Sequence, residues 1–124
     1  GAGFSAPGVE PWLPLGERAG VNVAEEKADP GSALHLTRDL IALRRAEEDL
    51  RTGAYAEVLV DDGLWVYRRG ERFVVALNLG RDAASMPADG TIVIGTRRQR
   101  DGETIARSLL LAPGEGVVLR VAAA

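Results

Sequence analysis

The stretch LWVYRRGERFVVALNLG, residues 64–80, decides the fold of this chain. Two runs rich in β-branched and aromatic residues, LWVYRR and FVVALNL, flank a turn signal at Gly70-Glu71. Such runs with a short glycine-containing connection are typical of a β-hairpin. Side chains two residues apart on a strand share one face, so we expect Trp65 and Tyr67 to point the same way.

Further strand-like runs lie on both sides of this hairpin. They are AYAEVLV (54–60), TIVIGT (91–96), SLLLA (108–112) and GVVLRV (116–121). Turn signals separate them at Asp62-Gly63, Asp89-Gly90, Asp101-Gly102 and Pro113-Gly114. Short strands with hairpin connections favour an antiparallel sandwich or barrel. We therefore predict a mainly β chain with one long helix, in which residues 52–124 form an antiparallel β-sandwich.

Residues 31–51 predict the single long helix. Asp29-Pro30 offers a cap and a first helical residue, Ser32 is a rival cap, and Gly53 can take a left-handed position past the end. The leucines form one stripe on the helical wheel: Leu36, Leu40, Leu43 and Leu50. Leu34 and Ile41 form a second stripe about 150° away. Two stripes indicate a helix between two bodies, or one buried deeply in a single core.

Residues 1–30 form an extended arm rich in proline and glycine, with no helical or strand period. Its segment GFSAPGVEPWLPLG, residues 3–16, carries two of the six aromatic residues, Phe4 and Trp12. Proline fixes φ and removes a hydrogen-bond donor, so this segment should be extended and turning. Its apolar content is too high for a disordered segment, so we expect it to lie against another surface.

Composition excludes several classes of function. The chain has 124 residues, a net charge of −3 and no cysteine. This charge is too small to attract nucleic acid or an anionic membrane, and disulfides and thiolate metal sites are excluded. No apolar run reaches membrane-spanning length and no signal peptide is visible, so we expect a cytoplasmic protein. We also expect that the chain needs no cofactor.

The sequence offers no self-sufficient catalytic or metal site. Ser32, His35 and Asp39 have helical spacing, but three residues on one helix rarely aim at one substrate atom. The single histidine leaves too few ligands for a metal. The basic cluster Arg97, Arg98 and Arg100 borders a turn with acids nearby, which favours a solvated hairpin over an anion site. Trp65 and Tyr67 are possible sugar-stacking residues, or they pack in the sheet or under the helix.

The helix and its flanks resemble one enzyme family. The positions that carry the resemblance are Asp29, Pro30, Ser32, Arg38, Leu40, Ile41, Leu43, Arg44, Leu50, Arg51, Gly53 and Tyr55. They resemble the end of the catalytic barrel in the α-amylase superfamily, in its α-glucosidase and oligo-1,6-glucosidase branch. Gly3-Phe4 and Pro11–Pro14 are similar to the segment before the last barrel helix, and residues 66–69 and 75–78 to the first hairpin of the C-terminal domain.

The resemblance implies a non-catalytic, C-terminal part of a glycoside hydrolase that acts on α-linked glucosides. The family's catalytic carboxylates would precede Gly1, so the parent is expected to be an enzyme while this chain alone is not. The partner would be the parent's catalytic barrel. The arm would be the remnant of a barrel loop, and residues 31–51 would be the remnant of the last barrel helix. Phe4 and Trp12 would be rim residues of a sugar site, or would pack on barrel loops.

Two alternatives stay open. The chain is a free-standing carbohydrate-binding or protein-interaction module, or it belongs to a transglycosylase or isomerase such as a trehalose synthase. An apolar stripe left uncovered drives association. We therefore also expect self-association through the helix face or the arm, or an arm folded back over the helix.

Overall fold

The computed structural model describes residues 6–14, 16, 22–61 and 63–122. Within them the chain forms three α-helices, eight β-strands and a short 3₁₀ turn. The helices are α1 (Val23–Ala28), α2 (Ala33–Ala46) and α3 (Glu48–Arg51). The strands are β1 (Tyr55–Asp61), β2 (Leu64–Arg69), β3 (Phe73–Asn78), β4 (Ala84–Pro87), β5 (Gly90–Gly95), β6 (Thr104–Ile105), β7 (Ser108–Leu111) and β8 (Gly116–Arg120).

The strands of the described residues form two antiparallel sheets. Six strands make one sheet in the order β1-β2-β3-β8-β5-β6, and β4 pairs with β7 in the other. The predicted hairpin is confirmed, because Leu64 pairs with Asn78 and Arg69 with Phe73. The mainly β class is confirmed too. The sequence pattern misses β4, which contains a proline, and β6, which is two residues long.

The inner core lies between the two sheets. Alternate residues of each long strand point into it, as the pleat requires. Its buried side chains are Leu64, Val66, Val74, Ala76, Met86, Ile92, Ile105, Leu109, Leu111, Val117 and Leu119. This arrangement is the β-sandwich that the strand pattern predicts.

Helix α2 covers the other face of the six-stranded sheet. The buried sheet residues on that face are Phe73, Val75, Ile94 and Val118, and the helical residues packed on them are Leu36, Leu43 and Leu50. This leucine stripe therefore faces the β-domain. The fourth leucine of the stripe, Leu40, lies at its flank and keeps 38% of its surface exposed. The molecule thus has three layers: helix, large sheet and small sheet.

The prediction of one helix over residues 31–51 is wrong, because the helix breaks at Glu47. The backbone of Glu47 is extended (φ −107°, ψ 117°), so this residue ends α2 and precedes α3. Its carboxylate forms ion pairs with Arg72, at 3.2 Å, and with Arg120. The guanidinium carbons of these two arginines lie 5.7 and 5.4 Å from the ring centroid of buried Phe73.

Asp49 holds α3 to the turn between β2 and β3. One of its carboxylate oxygens accepts hydrogen bonds from the backbone N–H of Arg72 (3.0 Å) and of Glu71 (3.3 Å), and from the Arg72 guanidinium (3.2 Å). Partial desolvation raises the pKa of the Asp49 carboxyl. The hydrogen bonds from Arg72 and Glu71 lower this pKa by more, so it lies below its usual value.

Gly53 ends this helical region by close approach rather than by a left-handed conformation. Its φ is not positive, so that part of the prediction is wrong. A Cβ at Gly53 would lie 2.4 Å from the carbonyl oxygen of Asp49 and 2.8 Å from the backbone of Gly70. Gly70 itself has φ +58°, and a Cβ there would meet the Asp49 side chain. The two glycines let the helical region contact the β2–β3 turn.

The start of α2 also differs from the favoured prediction. Ser32 is the N-cap, with its hydroxyl accepting a hydrogen bond from the His35 backbone N–H, while Asp29 ends the short helix α1. Ser32 is buried and its hydroxyl donates to the carbonyl of Glu26 at 2.8 Å. The Ser32 hydroxyl forms hydrogen bonds with residues of both α1 and α2, which explains why Ser32 and not Asp29 is the N-cap of α2.

We expect Asp49→Asn to lower the free energy of unfolding at neutral pH, because the amide loses the ion pair with Arg72. A carboxyl whose pKa is lowered by folding stabilises the fold above its unfolded pKa, about 3.9, and loses this contribution as pH falls through the folded pKa. The difference in the free energy of unfolding between wild type and variant, measured with urea, should therefore be constant near neutral pH. It should disappear at strongly acid pH. A difference that persists at strongly acid pH would contradict this assignment.

Gly53→Ala should lower the free energy of unfolding by about 1–3 kcal/mol, the usual cost of overpacking. The added methyl group would press on the Asp49 carbonyl and on Gly70, both of them backbone contacts that cannot rotate away. Gly16→Ala is the matched control, since no described residue lies within 4 Å of its Cβ position. Chemical denaturation followed by circular dichroism measures both. Equal stabilities of the two variants would refute the close-contact explanation.

Candidate functional site

A groove lies between α2 and the outer face of the six-stranded sheet, and we call it the α2–sheet groove. Its volume is about 530 Å³. Helix residues Leu36, Leu40 and Leu43 form one wall. The other wall comes from the sheet and includes Tyr55, Trp65, Tyr67, Leu77 and Val118. Since these side chains are apolar or aromatic, the groove is suited to contact with another apolar surface.

Three aromatic rings form a row along the sheet wall. Tyr67 is in the middle, with the ring of Tyr55 5.4 Å away and the ring of Trp65 5.1 Å away. Tyr67 is half-buried against the helix-side core, and Trp65 keeps 37% of its surface exposed. The rings are tilted by 36° and 42° to one another, so they do not form one flat platform. Sugar stacking on Trp65 and Tyr67 stays a prediction.

The polar groups of the α2–sheet groove are two arginines and a threonine. Arg69 donates to the backbone carbonyls of Leu50 and Arg51, both at 3.5 Å, while Thr96 lies at the groove's end. Arg44 has no ion pair within the described part of the chain. No carboxylate or histidine of the described residues lines the groove. The groove thus lacks the two residue types that most often act as a general acid or base, and its apolar and aromatic lining is suited to binding.

Ser32, His35 and Asp39 each bind a different partner. The Ser32 hydroxyl contacts Glu26, the Nε2 atom of His35 lies 3.1 Å from the Lys27 carbonyl oxygen, and Asp39 pairs with Arg98 at 2.7 Å. These three side chains therefore do not form a charge-relay arrangement. Over residues 6–14, 16, 22–61 and 63–122, no group of three or more His, Cys, Asp or Glu could hold a metal ion.

The arginine cluster is not the solvated hairpin that the sequence predicts. Arg98 binds Asp39 and Asp101, and the hydrogen bonds to these two carboxylates raise its pKa. The guanidinium of Arg100 binds Glu103 at 2.6 Å and the buried carboxylate of Glu115 at 2.8 Å. The carboxylates hold the arginines against the protein surface. The cluster therefore links the β5–β6 connection to α2 and to the β7–β8 connection.

Glu115 is the central residue of this network, and the sequence pattern does not single it out. Its side chain is almost fully buried and accepts a hydrogen bond from the backbone N–H of Ala112 at 2.8 Å. A buried carboxylate is stable only when it is paired and hydrogen-bonded. A Pro-Gly turn followed by an acidic residue next to a strand is too common a pattern to reveal this role.

The described part of the arm exposes most of its side chains. Trp12 is 93% exposed, and Val9 and Leu13 are exposed as well. These residues do not fold back over the helix. Phe4, the other rim candidate, lies outside the described residues. The proposed role of Phe4 and Trp12 at the rim of a sugar site stays a prediction.

The side of α2 that points away from the sheet combines apolar and basic residues. Ile41 keeps 48% of its surface exposed, and Leu34, from the same predicted stripe, is half-buried. Arg38 and Arg45 flank this stripe and have no ion pair among the residues that the structure describes. None of the described helices is both long enough and apolar enough to cross a membrane.

Comparison with known proteins places the chain among sugar-converting enzymes and their relatives. It is 40% identical over 86 residues to trehalose-6-phosphate hydrolase of Escherichia coli K12, which covers 65% of this chain and 15% of the relative. It is 31% identical over 124 residues to the mouse amino acid transporter heavy chain SLC3A1, covering 87% of this chain and 18% of the relative. No protein-family model matches the chain.

Solved structures agree with the sequence matches. The trehalulose synthase MutB from Pseudomonas mesoacidophila MX-45 superposes with a TM-score of 0.72 at 25% identity, over 82% of this chain and 20% of that one. The chain thus spans less than a quarter of the length of each of these relatives. From these matches and from the three-layered fold, we conclude that the chain belongs to the α-amylase superfamily of glycoside hydrolases and has the fold of its C-terminal β-domain.

Proposed function

We propose that the chain is the non-catalytic, C-terminal part of an α-glucosidase-like glycoside hydrolase, and that it packs against the catalytic barrel and stabilises it. The parent would act on α-linked glucosides. The observation that carries the proposal is the outward side of α2, where Leu34 and Ile41 have no sheet to cover them.

The geometry of the helix supports this proposal. At about 100° per residue, Leu34 and Ile41 lie nearly opposite Leu36 and Leu43. A helix on the surface of a protein needs only one apolar stripe, and α2 has a second one. An apolar second stripe is expected where a further body covers the helix.

The length of the relatives supports the presence of such a body. Each relative has several times the length of this chain, and two of them carry names of sugar-converting enzymes. The described residues offer no acid–base pair in the α2–sheet groove, so catalysis would come from the remainder of the parent. A parent that transfers or isomerises sugars, as the name trehalulose synthase indicates for MutB, would use the same contact, and no residue of the chain favours it over hydrolysis.

The proposal is tested by moving the chain into a relative. The region of the E. coli trehalose-6-phosphate hydrolase that aligns with this chain is replaced by the chain, and thermal unfolding and trehalose-6-phosphate hydrolysis are measured. We expect one cooperative unfolding transition and retained hydrolysis. Two independent transitions, or hydrolysis equal to that of the enzyme without the region, would contradict a stabilising contact.

Ile41→Glu sharpens this test because its effect should depend on context. In the isolated chain Ile41 is a surface residue, and the substitution should change the free energy of unfolding by no more than about 0.5 kcal/mol. In the chimaera it would bury an unpaired charge and should cost about 2–4 kcal/mol. Leu110→Glu, at an exposed position of β7, is the matched control and should have the same small effect in both. Equal effects of Ile41→Glu in both contexts would exclude Ile41 from the contact.

A further inference from the structure

The segment Pro11-Trp12-Leu13-Pro14, which we call the PWLP segment, is an apolar group without a binding site in its own copy. Trp12 is nearly fully exposed and Leu13 keeps 64% of its surface exposed. The prolines at both ends restrict φ, so the segment would lose little chain entropy when it docks. A preorganised, exposed tryptophan is the kind of residue that dominates binding at interfaces.

The α2–sheet groove has the features that such a segment needs. Proline-rich segments with two prolines three residues apart bind grooves lined by aromatic side chains. The groove presents Tyr55, Tyr67 and Trp65 in one row, with Leu40 on the opposite wall. Its volume of about 530 Å³ lies within the range of sites that enclose small ligands or side chains.

The charges next to the two surfaces are complementary. Glu10 directly precedes the PWLP segment and is exposed, while Arg44 lines the groove. Neither residue has an ion pair within the part of the chain that the structure describes. A carboxylate beside the segment and a guanidinium beside the groove would pair across a docked interface, which fixes the direction in which the segment enters.

We propose that the PWLP segment of one copy of the chain docks into the α2–sheet groove of a second copy, so that two copies pair by exchanging their arms. A second copy is favoured over the segment's own groove because Trp12 is exposed while its own groove stays open. Every copy carries both surfaces, so a two-fold pair satisfies both contacts at once and forms a closed dimer. This inference does not depend on the proposed packing against a barrel.

The first experiment measures the mass of the isolated chain by sedimentation equilibrium across a wide range of concentration. We expect a reversible dimer of twice the 13.1 kDa chain mass. Trp12→Ala should weaken dimerisation by about thirtyfold or more, as expected for an interface hot spot. Because Trp12 is exposed in the single chain, its removal should leave the circular dichroism spectrum unchanged, and also the thermal midpoint at concentrations where both proteins are monomeric. Leu110→Ala, at an exposed position on β7, is the matched control and should leave dimerisation unchanged.

The second experiment separates exchange between copies from folding back within one copy. Glu10→Arg and Arg44→Glu each place like charges at both contacts of the dimer and should weaken it about tenfold. In a mixture of the two variants, a heterodimer has one wild-type contact and one fully reversed contact, and both are complementary. The mixture should therefore regain the wild-type dimer affinity. Arg81→Glu controls for the change in net charge.

Several outcomes would overturn the proposal. A chain that is monomeric at every concentration would exclude it, and so would a dimer that survives Trp12→Ala unchanged. Failure of the mixed variants to regain affinity would show that Glu10 and Arg44 do not meet across copies. In a Trp65→Phe background, monomers whose remaining Trp12 fluorescence changes on Leu40→Ala would indicate docking within one copy instead. None of these results bears on the chimaera, so the two proposals fail separately.

Discussion

The position of the helical layer depends on a clamp of charges around Phe73. The ring is fully buried, and the guanidinium groups of Arg72 and Arg120 lie 5.7 and 5.4 Å from its centroid. Glu47 and Asp49 neutralise these arginines from the helix break. An isolated surface ion pair contributes little to stability, but here four charged groups form one partly buried network that also covers an aromatic ring. The clamp links the helices, the β2–β3 turn and the end of β8.

The attachment of the helix at this end determines which side of α2 faces the sheet and which side faces away from it. With Glu47 and Asp49 held at the turn, the leucine stripe of α2 lies on the sheet and Ile41 points away from it. Near the middle of α2, the pair between Asp39 and Arg98 holds the helix to the connection between β5 and β6. The helix is thus attached by charges at its C-terminal end and at its middle, and by leucines along its sheet side. Its outward stripe is a consequence of this attachment.

Much of the fold could be predicted from the residues because the determining patterns are local. Alternating apolar residues and glycine turns place the strands, and the spacing of leucines at residues 36, 43 and 50 predicts the face that packs on the sheet. The break at Glu47 could not be predicted. Glutamate is a good helix former, and the arginines that draw it out of the helix lie 25 and 73 residues further along the chain.

The same limit applies to Gly53 and to the α2–sheet groove. Gly53 is required because Gly70 approaches it in space, which no local pattern reveals. Bulges near Val58 in β1 and Val93 in β5 reverse the alternation, so the sequence period does not predict which face each later residue takes. Ile92 therefore faces the inner core and Ile94 faces the helix, although residues two positions apart on a regular strand share one face. The groove is built from five strands and two helices, so its lining depends on these shifts.

Helix α2 presents two different apolar surfaces in addition to its sheet side. Leu40 lies about 40–60° from the sheet-facing leucines and forms a wall of the groove, whereas Ile41 lies about 140–160° from them. A body that covers Ile41 therefore need not enter the groove, and a segment that fills the groove need not touch Ile41. The unpaired arginines follow the same division, since Arg44 borders the groove while Arg38 and Arg45 flank the outward stripe. One helix can thus hold the β-domain on one side while two further apolar surfaces remain for separate contacts.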